Sequence, residues 1–143
     1  YVTEDELDRE RYFKMMSDTV RMTAYRKAIY STVQPGDVVV DLGCGTGILS
    51  FMALQAGAKK VYAIEKSDAI ELAQAIAQHN GFLDRIEFIH GNSKEITLPQ
   101  KADILLSETL GSFALDENTL DFTLDARDRF LKEDGNRPQR REQ

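Results

Sequence analysis

Val38-Val39-Val40-Asp41-Leu42-Gly43-Cys44-Gly45-Thr46-Gly47 runs three consecutive valines straight into a loop with three glycines in five residues. The β-branched run favours a buried strand, because branched side chains pack well on a pleated surface and lose little there. Glycine at 43, 45 and 47 permits positive φ and removes the Cβ atoms that would hold a ligand away from the backbone. Ile48-Leu49-Ser50-Phe51-Met52-Ala53-Leu54 continues with helix formers. The amides of residues 47–49 therefore fall at a helix N-terminus that faces whatever fills the loop. Strand, glycine turn and helix form one unit.

The rest of the chain repeats the alternation. Upstream, Thr3-Glu4-Asp5-Glu6 fits a capping box, and Leu7, Met15, Met16, Val20, Ala24 and Ile29 recur at roughly helical spacing. One or two amphipathic N-terminal helices are expected, Ser17-Asp18 being where a second could start, with an end before the turn Gln34-Pro35-Gly36-Asp37. Downstream, Gly57 closes the helix after the loop, and Lys60-Val61-Tyr62-Ala63-Ile64-Glu65 predicts a second strand ending in an acid. Ser67 is expected to cap a helix from Ala69 to Ala77 that stops at Asn80-Gly81. Arg85–His90 alternates like a third strand, Gly91-Asn92-Ser93 turns the chain, and Ala102–Leu106 reads as a fourth strand. Asp116 is expected to cap a last helix through Phe130. Strands alternating with helices imply right-handed crossovers and a parallel sheet, hence a three-layer α/β architecture.

Length and composition suit one domain, here residues 1–135, followed by a polar, basic and disordered tail over 136–143. The net charge of −6 argues against nonspecific nucleic-acid binding, since phosphate contacts need clustered cations, and favours a cationic substrate. No apolar run is long enough to span a bilayer, and the N-terminus carries Glu4, Asp5, Glu6 and Asp8 in place of a signal peptide, so a cytoplasmic location is expected. One cysteine leaves no internal disulfide, and with only His79 and His90 beside it no metal site is expected.

Taken alone, the glycine pattern fits either a nucleotide-binding turn or a tight structural one. Its spacing differs from the dinucleotide G-x-G-x-x-G and lacks a Gly-Lys-Ser or Gly-Lys-Thr ending, so no pyrophosphate site is indicated. Glu65 lies 18 residues beyond Gly47. That is near the place where a nucleotide-binding α/β unit sets a carboxylate to accept hydrogen bonds from ribose hydroxyls. Cys44 reads as a residue chosen for small size, because no histidine stands near it to activate a thiol.

The loop V-V-D-L-G-C-G-T-G-I-L-S followed by A-G-A-K-K-V-Y-A-I-E resembles motif I and the next acidic strand end of class I S-adenosylmethionine-dependent methyltransferases. More narrowly, Ser107-Glu108-Thr109-Leu110-Gly111 with Glu117 resembles the double-glutamate hairpin of protein arginine methyltransferases. Met15-Met16-Ser17-Asp18-Thr19-Val20-Arg21 with Ala24-Tyr25-Arg26 resembles their cofactor-capping helix. The similarity runs from about residue 12 to 135, the cofactor-binding half of such an enzyme, so the Rossmann-like, mostly parallel sheet is expected to be incomplete on its C-terminal side.

The resemblance implies S-adenosyl-L-methionine as cofactor and S-adenosyl-L-homocysteine as product. Asp41, Gly43 and Gly45, with Cys44 and Gly47 of the same loop, would lie against the methionine part. Glu65 would hold the ribose hydroxyls, Arg21 the cofactor carboxylate, and the Ser93-Lys94 turn the adenine. Met15 would belong to the substrate pocket. Arg21 and Glu65 also have plain readings, as a solvated helix charge and a surface strand end.

Glu108 and Glu117 carry the catalytic expectation, Glu108 also lying beside the cofactor. A guanidinium offers five donors in a planar fork and stays protonated, so two converging carboxylates can neutralise it, orient it and turn one nitrogen toward a methyl sulfonium. The acids at 108, 116, 117 and 121 would otherwise be caps and solvated charges. Lys94 stands where the family usually has glutamate, Thr109 where it has tryptophan, Ser112 where it has tyrosine and Tyr12 where it has histidine. Two functions are weighed. One is N-methylation of an arginine guanidinium or related amine on a cationic protein or small molecule. The other is an S-adenosylmethionine-binding domain that catalyses nothing alone because the substrate-binding half is missing. Base methylation in nucleic acid is disfavoured by the acidic charge. An uncovered edge beside the fourth strand would favour self-association, and a homodimer is expected.

Overall fold

The computed structural model describes residues 3–107 and 127–132, without the side chains of residues 12, 13 and 15–17. Its elements are α1 (Glu4–Thr32), β1 (Val38–Leu42), α2 (Ile48–Gln55), β2 (Lys60–Glu65), α3 (Ala69–His79), β3 (Ile86–His90), a single 3₁₀ turn (Ser93–Glu95) and β4 (Ile104–Leu106). All strand pairs are parallel, in the order β3-β2-β1-β4.

That order decides where ligands can bind. From β1 to β2 to β3 the chain steps in one direction across the sheet, so right-handed crossovers put the connecting helices on one face. Packing agrees. Val39, Val61, Ala63, Ile86 and Ile104 share a core with Ile29 of α1, Val33 just after it, Leu49, Met52 and Ala53 of α2, and Ala77 of α3. The step from β3 to β4 then runs back past β2 and β1, which sends the chain across the opposite face. There Val38, Val40, Leu42, Tyr62 and Ile64 pack with Ile96, Leu98, Phe130 and Leu131. Residues 127–130 are helical, so helical residues cover both faces of the sheet, as the three-layer expectation required. The reversal occurs between β1 and β4, and in open α/β sheets the crevice outside the carboxyl ends at such a reversal receives ligands.

β1 is buried at all five positions, and β2 at its four inner ones, as expected for central strands of a sheet covered on both sides. β3 and β4, at the two sides of the described sheet, are only partly buried.

The N-terminal region is one helix rather than two. The capping box forms as expected: the Glu6 amide donates to Thr3 Oγ1 at 3.2 Å and the Thr3 amide to Glu6 Oε2 at 3.0 Å. Of the two alternatives the chain takes the single helix, with no restart at Ser17-Asp18, because no glycine or proline stands between residues 4 and 32 to break the ladder. Asp18 instead pairs with Arg21 one turn on. Among the described side chains, the C-terminal half of α1 enters the core through Met22, Tyr25 and Ile29, followed by its C-cap Val33.

Strands three and four are each shorter than their sequence runs. Ala102 makes an isolated parallel bridge to Leu131 in place of starting β4. The expected helix start at Asp116 and the tail over 136–143 lie outside the described residues.

Candidate functional site

Three strand ends build the site. After β1, the backbone turns at Gly43 (φ +70°), Gly45 (φ +55°) and Gly47 (φ +91°), conformations that side chains other than glycine's rarely adopt. A Cβ added at Gly47 would sit 2.9 Å from the tip of the Phe51 ring, which would have to shift, so space as well as φ favours glycine there. At Gly45 a Cβ would meet nothing within 4 Å, so the backbone there borders open space. The loop is self-bonded. The Gly47 amide donates to Cys44 O at 2.8 Å and the Cys44 amide to Ile64 O at 2.9 Å, which continues the β1–β2 ladder into the loop.

Glu65 ends β2 beside this loop. Its Oε1 accepts the Gly45 amide at 2.8 Å, and its Oε2 accepts the Ser67 amide at 2.9 Å. Burial opposes ionisation, but the Ser67 and Gly45 hydrogen bonds outweigh it and hold the carboxyl below its ordinary range. An ionised carboxylate has roughly four lone-pair sites, so the Ser67 and Gly45 donors leave room for a ligand's hydroxyl.

Asp41 is 1% exposed and faces α2, where the Ser50 hydroxyl donates to its Oδ2 at 2.6 Å. This bond ties the end of β1 to the first turn of the helix after the loop. Cys44 puts its side chain into the core, at 6% exposure. Burial, and then the charges of Asp41 and Glu65, push its thiol up to about 12, so it supplies no nucleophile near neutral pH.

The third strand end lies beside the second. His90 is the register partner of Glu65, and the Gly91 amide donates to Glu65 O at 3.0 Å. The Ser93–Glu95 turn follows, capped by Asn92, whose Oδ1 accepts the Lys94 amide at 3.0 Å. Ser93 is buried and Lys94 exposed.

The structure thus brings together Gly43, Cys44, Gly45, Gly47, Asp41 and Glu65, and sets the Ser93-Lys94 turn one strand further along. Arg21 stands half exposed on α1, with Asp18 Oδ1 3.1 Å from its Nη2. Glu108, Glu117 and the side chain of Met15 lie outside the described residues. Two contributors escaped the sequence reading. Ser50 sits nine residues from Asp41, where the first turn of the helix passes back over the strand, and that strand–loop–helix spacing could have found it. Arg129, which donates to the carbonyls of Ser93 and Ile96, carries no local signal.

Ser67 was expected as the cap of α3. Asp68 holds the formal cap position without a side-chain bond, and the Ser67 hydroxyl accepts the Ala69 amide at 3.2 Å instead. Among the described residues, no cluster of three His, Cys, Asp or Glu could hold a metal ion, and no helix is long and apolar enough to cross a membrane.

A family model described as Methyltransferase domain matches residues 34–136. Protein arginine N-methyltransferase PRMT10 of Oryza sativa subsp. japonica is 40% identical over 94% of this chain and 38% of its own. The crystal structure of Arabidopsis thaliana protein arginine methyltransferase 10 superimposes with a TM-score of 0.76 at 42% identity, over 82% of this chain and 34% of that one. The Trypanosoma brucei PRMT1 enzyme-prozyme heterotetrameric complex with AdoHcy gives 0.75 at 41% identity, over 85% and 39%. The chain spans less than two fifths of the length of each of these relatives.

Proposed function

The chain belongs to the methyltransferase-domain family, and from that premise we propose that it binds S-adenosyl-L-methionine at the carboxyl ends of β1, β2 and β3 and serves N-methylation of an arginine guanidinium. The observation that carries the reading is the Gly45–Glu65 contact, which joins the carboxyl ends of β1 and β2 next to the reversal between β1 and β4. It sets an open, side-chain-free backbone beside an ionised acceptor suited to a ribose diol. These residues fit the cofactor. The arginine substrate is supported by the relatives, which are named as arginine methyltransferases and 40–42% identical to this chain.

The cofactor supplies an activated methyl group on a sulfonium. The chain supplies position. Gly43, Cys44, Gly45 and Gly47 offer backbone alone along the methionine side, with Asp41 fixing the loop through Ser50. Glu65 accepts the ribose hydroxyls, and the Ser93-Lys94 turn borders the adenine. Arg21 would take the cofactor carboxylate by exchanging its exposed Asp18 partner, an ion pair worth little in water. Glu108 and Glu117 would grip the guanidinium from two sides, neutralise it and receive the proton that its nitrogen loses on methylation, with Met15 alongside the substrate. Alignment of this kind can lower a barrier by roughly 7 to 11 kcal/mol.

The substrate in this reading is a cationic protein or small molecule, which suits the net charge of −6. We place the chain in the cytoplasm, apart from membrane and nucleic acid, and propose that it self-associates. A heterotetrameric relative is consistent with that assembly. Transfer of a labelled methyl group from S-adenosyl-L-methionine to an arginine-rich peptide tests the function. Transfer that disappears in Glu108→Gln is expected, and transfer indifferent to that substitution rejects the catalytic role. Calorimetric binding of S-adenosyl-L-homocysteine without transfer would instead assign the chain as a cofactor-binding domain that catalyses nothing by itself.

A further inference from the structure

We propose that Arg129 is a positioning residue that fixes the Ser93-Lys94 turn, and through it one wall of the nucleoside side of the site. This rests on the S-adenosylmethionine reading above. The turn is a single 3₁₀ unit, Ser93–Glu95, held internally by the Glu95 amide on Asn92 O at 2.9 Å and a long Ile96 amide contact to Ser93 O at 3.4 Å. So short an element does not hold its own shape in water. Beyond the Asn92 cap, Arg129 supplies a constraint from outside the turn. Its Nη1 donates to Ile96 O at 2.8 Å and its Nη2 donates to Ser93 O, so one planar fork grips both ends of the turn.

Arg129 can do this because its own backbone is anchored. Phe130 beside it is 1% exposed in the second core, and the guanidinium carbon lies 4.8 Å from the centroid of that ring. The Ala102 amide donates to Phe130 O at 2.6 Å and the Lys132 amide to Ala102 O at 2.9 Å, while Lys101 Nζ donates to Arg129 O at 2.7 Å. Lys132 Nζ pairs with Asp103 Oδ1 at 3.0 Å, and Asp103 Oδ2 also accepts the Val38 amide at 2.9 Å. The grip is therefore referred to β1 and to the approach to β4, the same strands that set the reversal. On its other side the turn is fixed to Glu65 through Gly91. The distance between the ribose acceptor and the adenine wall thus depends on a residue 36 positions away from Ser93.

Hydrogen exchange of the free chain reads the positioning directly, and calorimetry with S-adenosyl-L-homocysteine reads its consequence. In Arg129→Ala the amides of Lys94, Glu95 and Ile96 should exchange faster while those of Val39 and Val61 do not change. Affinity should fall about tenfold, which corresponds to about 1.4 kcal/mol. Arg129→Lys, which keeps a donor and most of the packing over Phe130, should recover part of both. Unchanged exchange at residues 94–96, an acceleration shared by the whole sheet in both variants, or unaltered affinity would each overturn the proposal. Failure of the unsubstituted chain to bind S-adenosyl-L-homocysteine would strike the cofactor reading, and the exchange comparison would still decide whether Arg129 holds the turn.

Discussion

The Gly45 amide donates to Glu65 Oε1 at 2.8 Å across twenty residues of sequence, so the loop after β1 and the acid ending β2 form one surface. Neither part is placed without the other. The parallel pairing of Leu42 with Ile64 brings the two strand ends side by side, and the Cys44 amide on Ile64 O extends that pairing into the loop.

A pH dependence follows from Glu65. Its folded carboxyl is held below the ordinary 4.5, so the folded chain binds that proton less readily than the unfolded chain. Its stabilisation is complete above the unfolded value and is lost as pH falls through the folded one. Urea midpoints for the unsubstituted chain and Glu65→Gln should differ at pH 7 and converge as pH drops below 4.5. A gap that stays constant down to about pH 3 would contradict the linkage.

Gly47→Ala should be costly for two reasons that act together. The backbone sits at φ +91°, and the new methyl would stand 2.9 Å from Phe51 Cζ. Strain of this type costs about 1–3 kcal/mol. Chemical denaturation should show that loss, whereas Gly81→Ala, with a similar φ of +74° and open space around it, should lose less.

Cys44 should be inert while the chain is folded. A buried thiol raised to about 12 is almost wholly protonated near neutrality. Reaction with Ellman's reagent at pH 7.5 should be slow in buffer and complete within minutes in denaturant. Rapid labelling of the folded chain would place the thiol at the surface.

Arg85 secures the far end of α2. Its Nη2 donates to Leu54 O and Ala58 O, each at 2.7 Å, satisfying carbonyls at and beyond the helix end. Arg85→Ala should destabilise the chain by about 1–3 kcal/mol. S-Adenosyl-L-homocysteine affinity of the fraction that remains folded should not change, because these contacts lie away from the three strand ends that form the site. A selective loss of affinity would mean that α2 moves with its C-terminus.

The local code of this sequence is strong where one residue type excludes alternatives. Three valines could only be buried, glycines at 43, 45 and 47 mark the positive φ angles observed, and Lys60–Glu65 is a strand of the expected length. Thr3 and Glu6 announced their capping box, whereas Ser17-Asp18 suggested a restart that an unbroken ladder overrode. Ser67 read as a helix cap, and its second role, as a donor to Glu65, emerged only with the strand end in place.

By itself, then, the sequence determined the strand–loop–helix unit, the acid at the end of the next strand and the parallel α/β class, because periodicity and φ preference act over a few residues. Only the tertiary structure decided that β4 returns to the side of β1 and makes the crevice, that Asp41 meets Ser50, and that Arg129 grips the Ser93–Glu95 turn. Those contacts join residues whose separation carries no periodic signal. They form because right-handed crossovers and burial of both sheet faces leave the chain few other ways to close.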